Sequence, residues 1–80
     1  MKEGRKVMVT VRVVWGGSGR PVQGSKVTMA SNCGISSPEI TDANGETEFP
    51  DYMVGDECWI YVDGEERFHG YARPNHQFSI

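Results

Sequence analysis

The run ECWIYVDG, residues 57–64, decides the fold. Cys58, Ile60 and Val62 fall on one side of an extended chain and Trp59 and Tyr61 on the other. An alternation of period two, built from β-branched and aromatic residues, predicts a strand. Asp63-Gly64 is a two-residue hairpin turn by its chemistry, and the following EERFHGY supplies a return strand around Phe68. If Cys58, Ile60 and Val62 face a core, Trp59 and Tyr61 point to the opposite face, where a sheet packed on one side normally shows polar residues.

The same period organises the rest of the chain. Val7, Val9, Val11, Val13 and Trp15 share one face of a first strand, with Met8, Thr10, Arg12 and Val14 on the other. GGSGRPVQG, residues 16–24, holds four glycines and a proline, too many for a regular element, and is a loop. SKVTMAS, residues 25–31, turns Val27 and Met29 inward; NCGISSPEIT, residues 32–41, broken by Gly34 and Pro38, is an irregular excursion or edge piece anchored by Ile35 and Ile40. After a turn at Asp42–Gly45, residues 46–49 form a strand ended by Pro50, and a loop at Pro74 precedes a terminal strand over Gln77–Ile80. Nowhere do apolar residues recur at helical spacing. The expectation is one all-β domain over residues 1–80: a small antiparallel two-sheet sandwich of six or seven strands, transthyretin-like or Ig-like, its core formed by Val9, Val11, Val13, Val27, Met29, Phe49, Ile60 and Val62.

A chain of 80 residues buries only about 60% of its unfolded surface, which leaves little material for a deep catalytic cleft. The formal charge of −3, with no cluster of the eight Lys and Arg residues, lacks the electrostatic footprint of a nucleic-acid or anionic-membrane binder. The basic and valine-rich start alternates with Thr10 and Arg12 and has no small-residue cleavage site, so it reads as a strand rather than a leader, and no run has the length of a membrane-spanning helix. No nucleic acid and no membrane insertion are expected.

Asp42 and Asn44 could bend the chain or hold an ion. Asp can accept N–H bonds in its own turn, Asn tolerates left-handed geometry and Gly45 supplies positive φ, so bending alone accounts for the tetrapeptide. A calcium loop would need several more oxygen ligands, and here the chain enters a strand directly. Cys33 and Cys58 permit one intramolecular disulfide. Those cysteines with His69 and His76 offer zinc-type ligands but no tight Cys-x-x-Cys pair, so no metal and no cofactor are expected, and the two histidines are placed at the surface near the Tyr71–Asn75 loop. Gly16-Gly17-Ser18-Gly19 has neither the following Lys-Ser/Thr nor a helix to hold a phosphate. Ser, His and Asp occur without a Gly-x-Ser-x-Gly elbow.

Three pieces in order, VMVTVRV (7–13), GRPVQGSKVTM (19–29) and TDANGETEFPDYMVGDECWIYVDG (41–64), resemble the carboxypeptidase-regulatory-like and collagen-adhesin B-type modules, with a weaker continuation to Gly70-Tyr71. The resemblance implies a transthyretin-like, prealbumin-type sandwich and favours a secreted or cell-envelope setting. Enzymes sharing this fold are poorly matched. The tail His-Gln-Phe-Ser-Ile is unlike the Tyr-Arg-Gly-Ser end of the ureide hydrolases, and Tyr61, Tyr71, His69 and His76 lack the paired His-x-His of intradiol dioxygenases. Lys6 and Asn75 stand where some B-type modules form an isopeptide, but Val62 occupies the assisting acid's place, so none is expected. The resemblance implies a non-catalytic structural or protein-interaction module, for adhesion or display, acting on a protein partner or neighbouring domain. The alternative is a small carbohydrate-binding module. In either case the binding residues would be Trp59 and Tyr61, with Trp15 as a possible extension.

Overall fold

A computed structural model describes residues 9–32, 34–49 and 55–80. The expectations placed on Lys6, Val7, Met8, Cys33 and Pro50 lie outside the described residues. The rest is all-β and contains no helix: β1 (Val9–Val14), β2 (Lys26–Ser31), β3 (Gly34–Ile35), β4 (Glu39–Ile40), β5 (Glu46–Phe49), β6 (Glu57–Val62), β7 (Glu65–Tyr71) and β8 (Asn75–Ser79). A three-stranded sheet, β5-β1-β8, faces a five-stranded sheet in which β3 and β4 both border β2, followed by β6 and β7.

The core is the set of inward positions. Val9, Val11 and Val13 of β1, Val27 and Met29 of β2, Phe49 of β5, and Cys58, Ile60 and Val62 of β6 are all buried in one cluster. Alternation fixes which residues these are, and register fixes what they meet: Met29 lies opposite Ile60 and Val27 opposite Val62. Val22 and Ala72, from connecting segments, complete the cluster, and Phe68, Phe78 and Ile80 flank it.

Four features depart from simple alternation. The pairing of β1 with β8 is parallel, whereas β1 with β5 and every pair within the five-stranded sheet are antiparallel. The crossover from β7 through Ala72–Pro74 moves the chain to the other sheet, so β8 runs alongside β1 in the same direction. Residues 32–41 contribute two short strands, β3 and β4, because Ser36 bonds both ways to Met29 and interrupts the edge: its N–H donates to the Met29 carbonyl at 2.7 Å and its Oγ accepts the Met29 N–H at 3.0 Å. Trp15 does not continue the inward series. It follows the end of β1 and is 50% exposed, because its N–H and carbonyl close a turn with Arg20 and Gly19, while Val14, on the opposite face of β1, is buried.

The fourth departure sets the outer face of the five-stranded sheet. Asp63 and Gly64 both have positive φ, 52° and 88°, as a two-residue type I′ hairpin requires. Counting back from this turn pairs Val62 with Glu65 and Tyr61 with Glu66, but Ile60 then pairs with Phe68: Arg67 is an extra residue, a β-bulge. Without it Ile60 would face Arg67 and Trp59 would face Phe68, sending a charge inward and a phenyl ring outward. The bulge turns Phe68 toward the core and His69 toward Trp59.

Gly45 is a point where backbone geometry leaves no room for a side chain. Its φ is +76°, and a Cβ would lie 2.5 Å from the carbonyl oxygen of Val13, whose own N–H receives support from the Gly45 carbonyl at 2.8 Å. Gly45→Ala is expected to lower stability by more than the roughly 1–2 kcal/mol of left-handed strain alone, since β1 must also shift; urea unfolding of the two proteins measures the difference.

Candidate interaction face

Trp59 and Tyr61 lie half-buried on the outer face of β6, the position their alternation predicts. Register extends this into rows across the sheet. Ile35, Ala30, Trp59 and His69 form one row; Thr28, Tyr61 and Glu66 form the next; Glu57 and Tyr71 flank it on the other side. Ile35 is 75% exposed and Tyr71 70%. The opposite outer face, on the three-stranded sheet, has Glu46, Arg12 and Gln77 in one row and Glu48, Thr10 and Asn75 in the next. Aromatic and aliphatic side chains thus concentrate on one of the two outer faces.

Within this patch the rings are organised. The indole of Trp59 stacks on the His69 imidazole with centroids 4.5 Å apart and planes 11° from parallel. His69 Nε2 is 2.8 Å from Glu57 Oε2, tying the ring to the next row. Trp15 is in a different place: it sits in the turn after β1, on a strand of the three-stranded sheet, while Trp59 and Tyr61 are central to the five-stranded one. Alternation carries Glu57 to the same face as Trp59 but does not point to Ile35, Tyr71 or His69 as neighbours. Their placement depends on the Arg67 bulge and on the short β3 edge.

The histidines separate. His69 is half-exposed, as expected of a surface residue. His76 is not: it is 7% exposed, because β8 begins at Asn75 and pairs His76 with Val11, turning the ring inward. It contacts Phe68 at 4.5 Å and stacks parallel to Phe78 at 6.1 Å, and its Nε2 accepts the Arg73 N–H at 3.1 Å. Burial and then the positive Arg73 hold its pKa below the ordinary value. Cys58 is a buried free thiol; desolvation, with help from Asp56, pushes its pKa up, which disfavours the reactive thiolate. The suggested disulfide with Cys33 falls outside the described residues.

The polar residues of the loops serve the backbone. Ser25 Oγ donates directly to Asp63 Oδ2 at 2.7 Å, with no imidazole between them. Thr41 Oγ1 accepts the Ser25 N–H and donates to the Val22 carbonyl at 2.6 Å. In the Asp42–Gly45 turn, Asp42 Oδ1 accepts the N–H groups of Asn44 at 2.8 Å and Glu46 at 3.0 Å, and the Asp42 carbonyl accepts the Gly45 N–H. Asp42, Glu46 and Glu48 line an open depression of about 340 Å³ beside this turn, but no group of three potential metal ligands converges among the described residues. No family model, curated protein or solved structure matches this chain.

Two outcomes follow from this chemistry. Millimolar calcium should leave Tm unchanged, since Asp42 is engaged with backbone; a bound ion at a hundred times its Kd would add about 2.7 kcal/mol, visible in a thermal melt and abolished in Asp42→Ala. Asp63 has a pKa lowered from 3.8, first by the Lys26 N–H bond to its Oδ1 and then by the Ser25 hydroxyl. Its folded form binds protons less readily than its unfolded form, so its contribution is complete above about pH 4 and lost as pH falls through the lower folded value. The difference in urea midpoint between wild type and Asp63→Asn should therefore be flat above pH 4 and shrink below it.

Proposed function

We propose that this domain is a non-catalytic structural or protein-interaction module that docks a protein partner or a neighbouring domain through the outer face of β6. The observation that carries the reading is the placement of Trp59 and Tyr61, half-buried at the centre of a sheet face that is bordered by exposed Ile35 and Tyr71. A solvated antiparallel face is normally polar, and partly covered aromatics in the middle with exposed apolar residues around them suit a contact that excludes water. The resemblance to carboxypeptidase-regulatory-like and collagen-adhesin B-type modules supports a role in adhesion or display.

Exposed Ile35, in the same row as the Trp59–His69 stack, favours protein docking over sugar binding, because an aliphatic side chain offers a sugar no flat ring to stack on. A catalytic reading draws no support from the histidines, whose ring nitrogens engage Glu57 and the Arg73 N–H.

Replacing both Trp59 and Tyr61 with Thr, a strand former, tests the reading. The double variant should keep the sheet fold by far-UV circular dichroism with a lowered Tm, because the stacked pair contributes roughly 0.5–1.5 kcal/mol beyond its burial. It should lose either self-association, read by sedimentation velocity, or a protein partner that wild type captures and rebinds after purification. Binding of wild type to an oligosaccharide on a glycan array, lost in the double variant, would put the carbohydrate module in place of the docking module. Retention of every interaction by the folded variant would reject this face.

A further inference from the structure

We propose that His76 is an acid-released latch that holds β8 against β1, so that protonation of its imidazole frees the β7–β8 corner and opens the edge of β1. The latch is a matter of hydrogen-bond polarity. Nε2 accepts the Arg73 N–H, which requires a neutral ring carrying its proton on Nδ1. Adding a proton at Nε2 sets one N–H donor against another, and the bond that closes the Arg73–His76 turn is lost.

Among the described residues no group compensates the charged ring where it stands. From β1 it is faced by Val11, from β7 by Phe68 and from β8 itself by Phe78, none of which titrates. The titratable residues either side of Phe68 are engaged elsewhere, Arg67 with Glu65 and His69 with Glu57. The charge that acts on His76 is Arg73, which repels the imidazolium. Contact with the two phenyl rings offsets part of the lost hydration. The acceptor function is nonetheless gone, and the mostly buried ring gains hydration by moving out of the gap between the sheets.

The position of β8 makes leaving feasible. Among the described residues β8 is an edge strand, paired with β1 alone. Beyond the ladder that pairs Thr10–Val14 with Asn75–Ser79, the corner end is held by the Thr10 N–H to the Pro74 carbonyl at 2.8 Å and by the His76–Arg73 bond. At the far end the Ile80 N–H binds the Val14 carbonyl and the Gly16 N–H binds the Ile80 carbonyl, both at 2.9 Å and independent of the imidazole. Release therefore begins at Arg73–His76 and the strand hinges about Ile80. It uncovers the β1 edge that β8 had occupied, a ladder able to accept another strand.

The sign follows from linkage. The closed ring binds a proton less readily than the open, solvated ring, whose ordinary value is 6.5. As pH falls from 6.5 toward the lower closed-state value, the open fraction should rise by about tenfold per pH unit and then level off. Amide hydrogen exchange and imidazole proton shifts of the full chain, followed by NMR from pH 7.5 to 4.5, test this. Protection of the Arg73 amide and of β8 should fall in step with His76 protonation while β2 and β6 stay protected. In His76→Gln, whose side-chain oxygen can accept the Arg73 N–H but does not titrate, β8 protection should be independent of pH beyond the chemistry of exchange. If that variant does not fold, the wild-type titration decides alone. Unchanged β8 protection once His76 is protonated would overturn the latch, as would loss of β2 and β6 together with β8, failure of His76 to titrate above pH 4.5, or the same acid transition in His76→Gln.

Discussion

A strand of period two can hide only one of its faces in a two-sheet core, and β6 is apolar on both. Cys58, Ile60 and Val62 are buried in the core cluster, leaving Trp59 and Tyr61 on the outside. The arrangement cannot be inverted by a slip of one residue without burying both rings and exposing the densest aliphatic positions of the strand. The outer aromatics are thus the counterpart of a core that an 80-residue chain has few other residues to build. Neighbours adapt to them: Ala30 is small beside the indole, His69 stacks on it and Glu57 braces the imidazole.

The connections are organised by a few polar side chains that finish what the ladders leave open. A buried backbone group without a partner costs about as much as a lost hydrogen bond, so a loop that dips into the core must bring its partners with it. Val22 enters the core from the 16–25 loop, and the hydroxyl of buried Thr41 binds its carbonyl while receiving the Ser25 N–H. Asp63 serves in turn as hairpin residue and as acceptor for Ser25 and for the Lys26 N–H, fastening the start of β2 to the β6–β7 turn. These residues look like surface polar chemistry in the sequence and act as fasteners in the fold.

What the sequence revealed and what it hid divide along a physical line. Alternation, turn chemistry and composition are local, and they place the strands, the I′ hairpin at Asp63-Gly64, the self-satisfied turn at Asp42 and the inward set from Val9 to Val62. Register is not local. The bulge at Arg67 changes which residue meets Trp59, the parallel course of β8 turns His76 inward, and the Ser36 bonds to Met29 split residues 32–41 into two short strands that expose Ile35 and Ile40. Trp15 illustrates the same limit from the other side: its parity matches Val13, but the strand ends before parity can act. Trp59 and Tyr61 could be placed on a face from the sequence, while the members of that face contributed by other strands could not.

β7 joins the two sites of this small domain. Its Phe68 touches His76 in the space between the sheets, and the next residue, His69, stacks on Trp59 at the outer face. Adjacent residues of a strand point to opposite faces, so a single strand carries both contacts without either ring touching the other site. Loss of β8 from its place would remove one neighbour of Phe68 but leave the pairing of β7 with β6, which sets the Trp59–His69 row. The proposed docking face lies on the five-stranded sheet and the proposed latch on the three-stranded one. If both proposals hold, a partner on the outer face of β6 would stay bound while the edge of β1 opens on the other sheet.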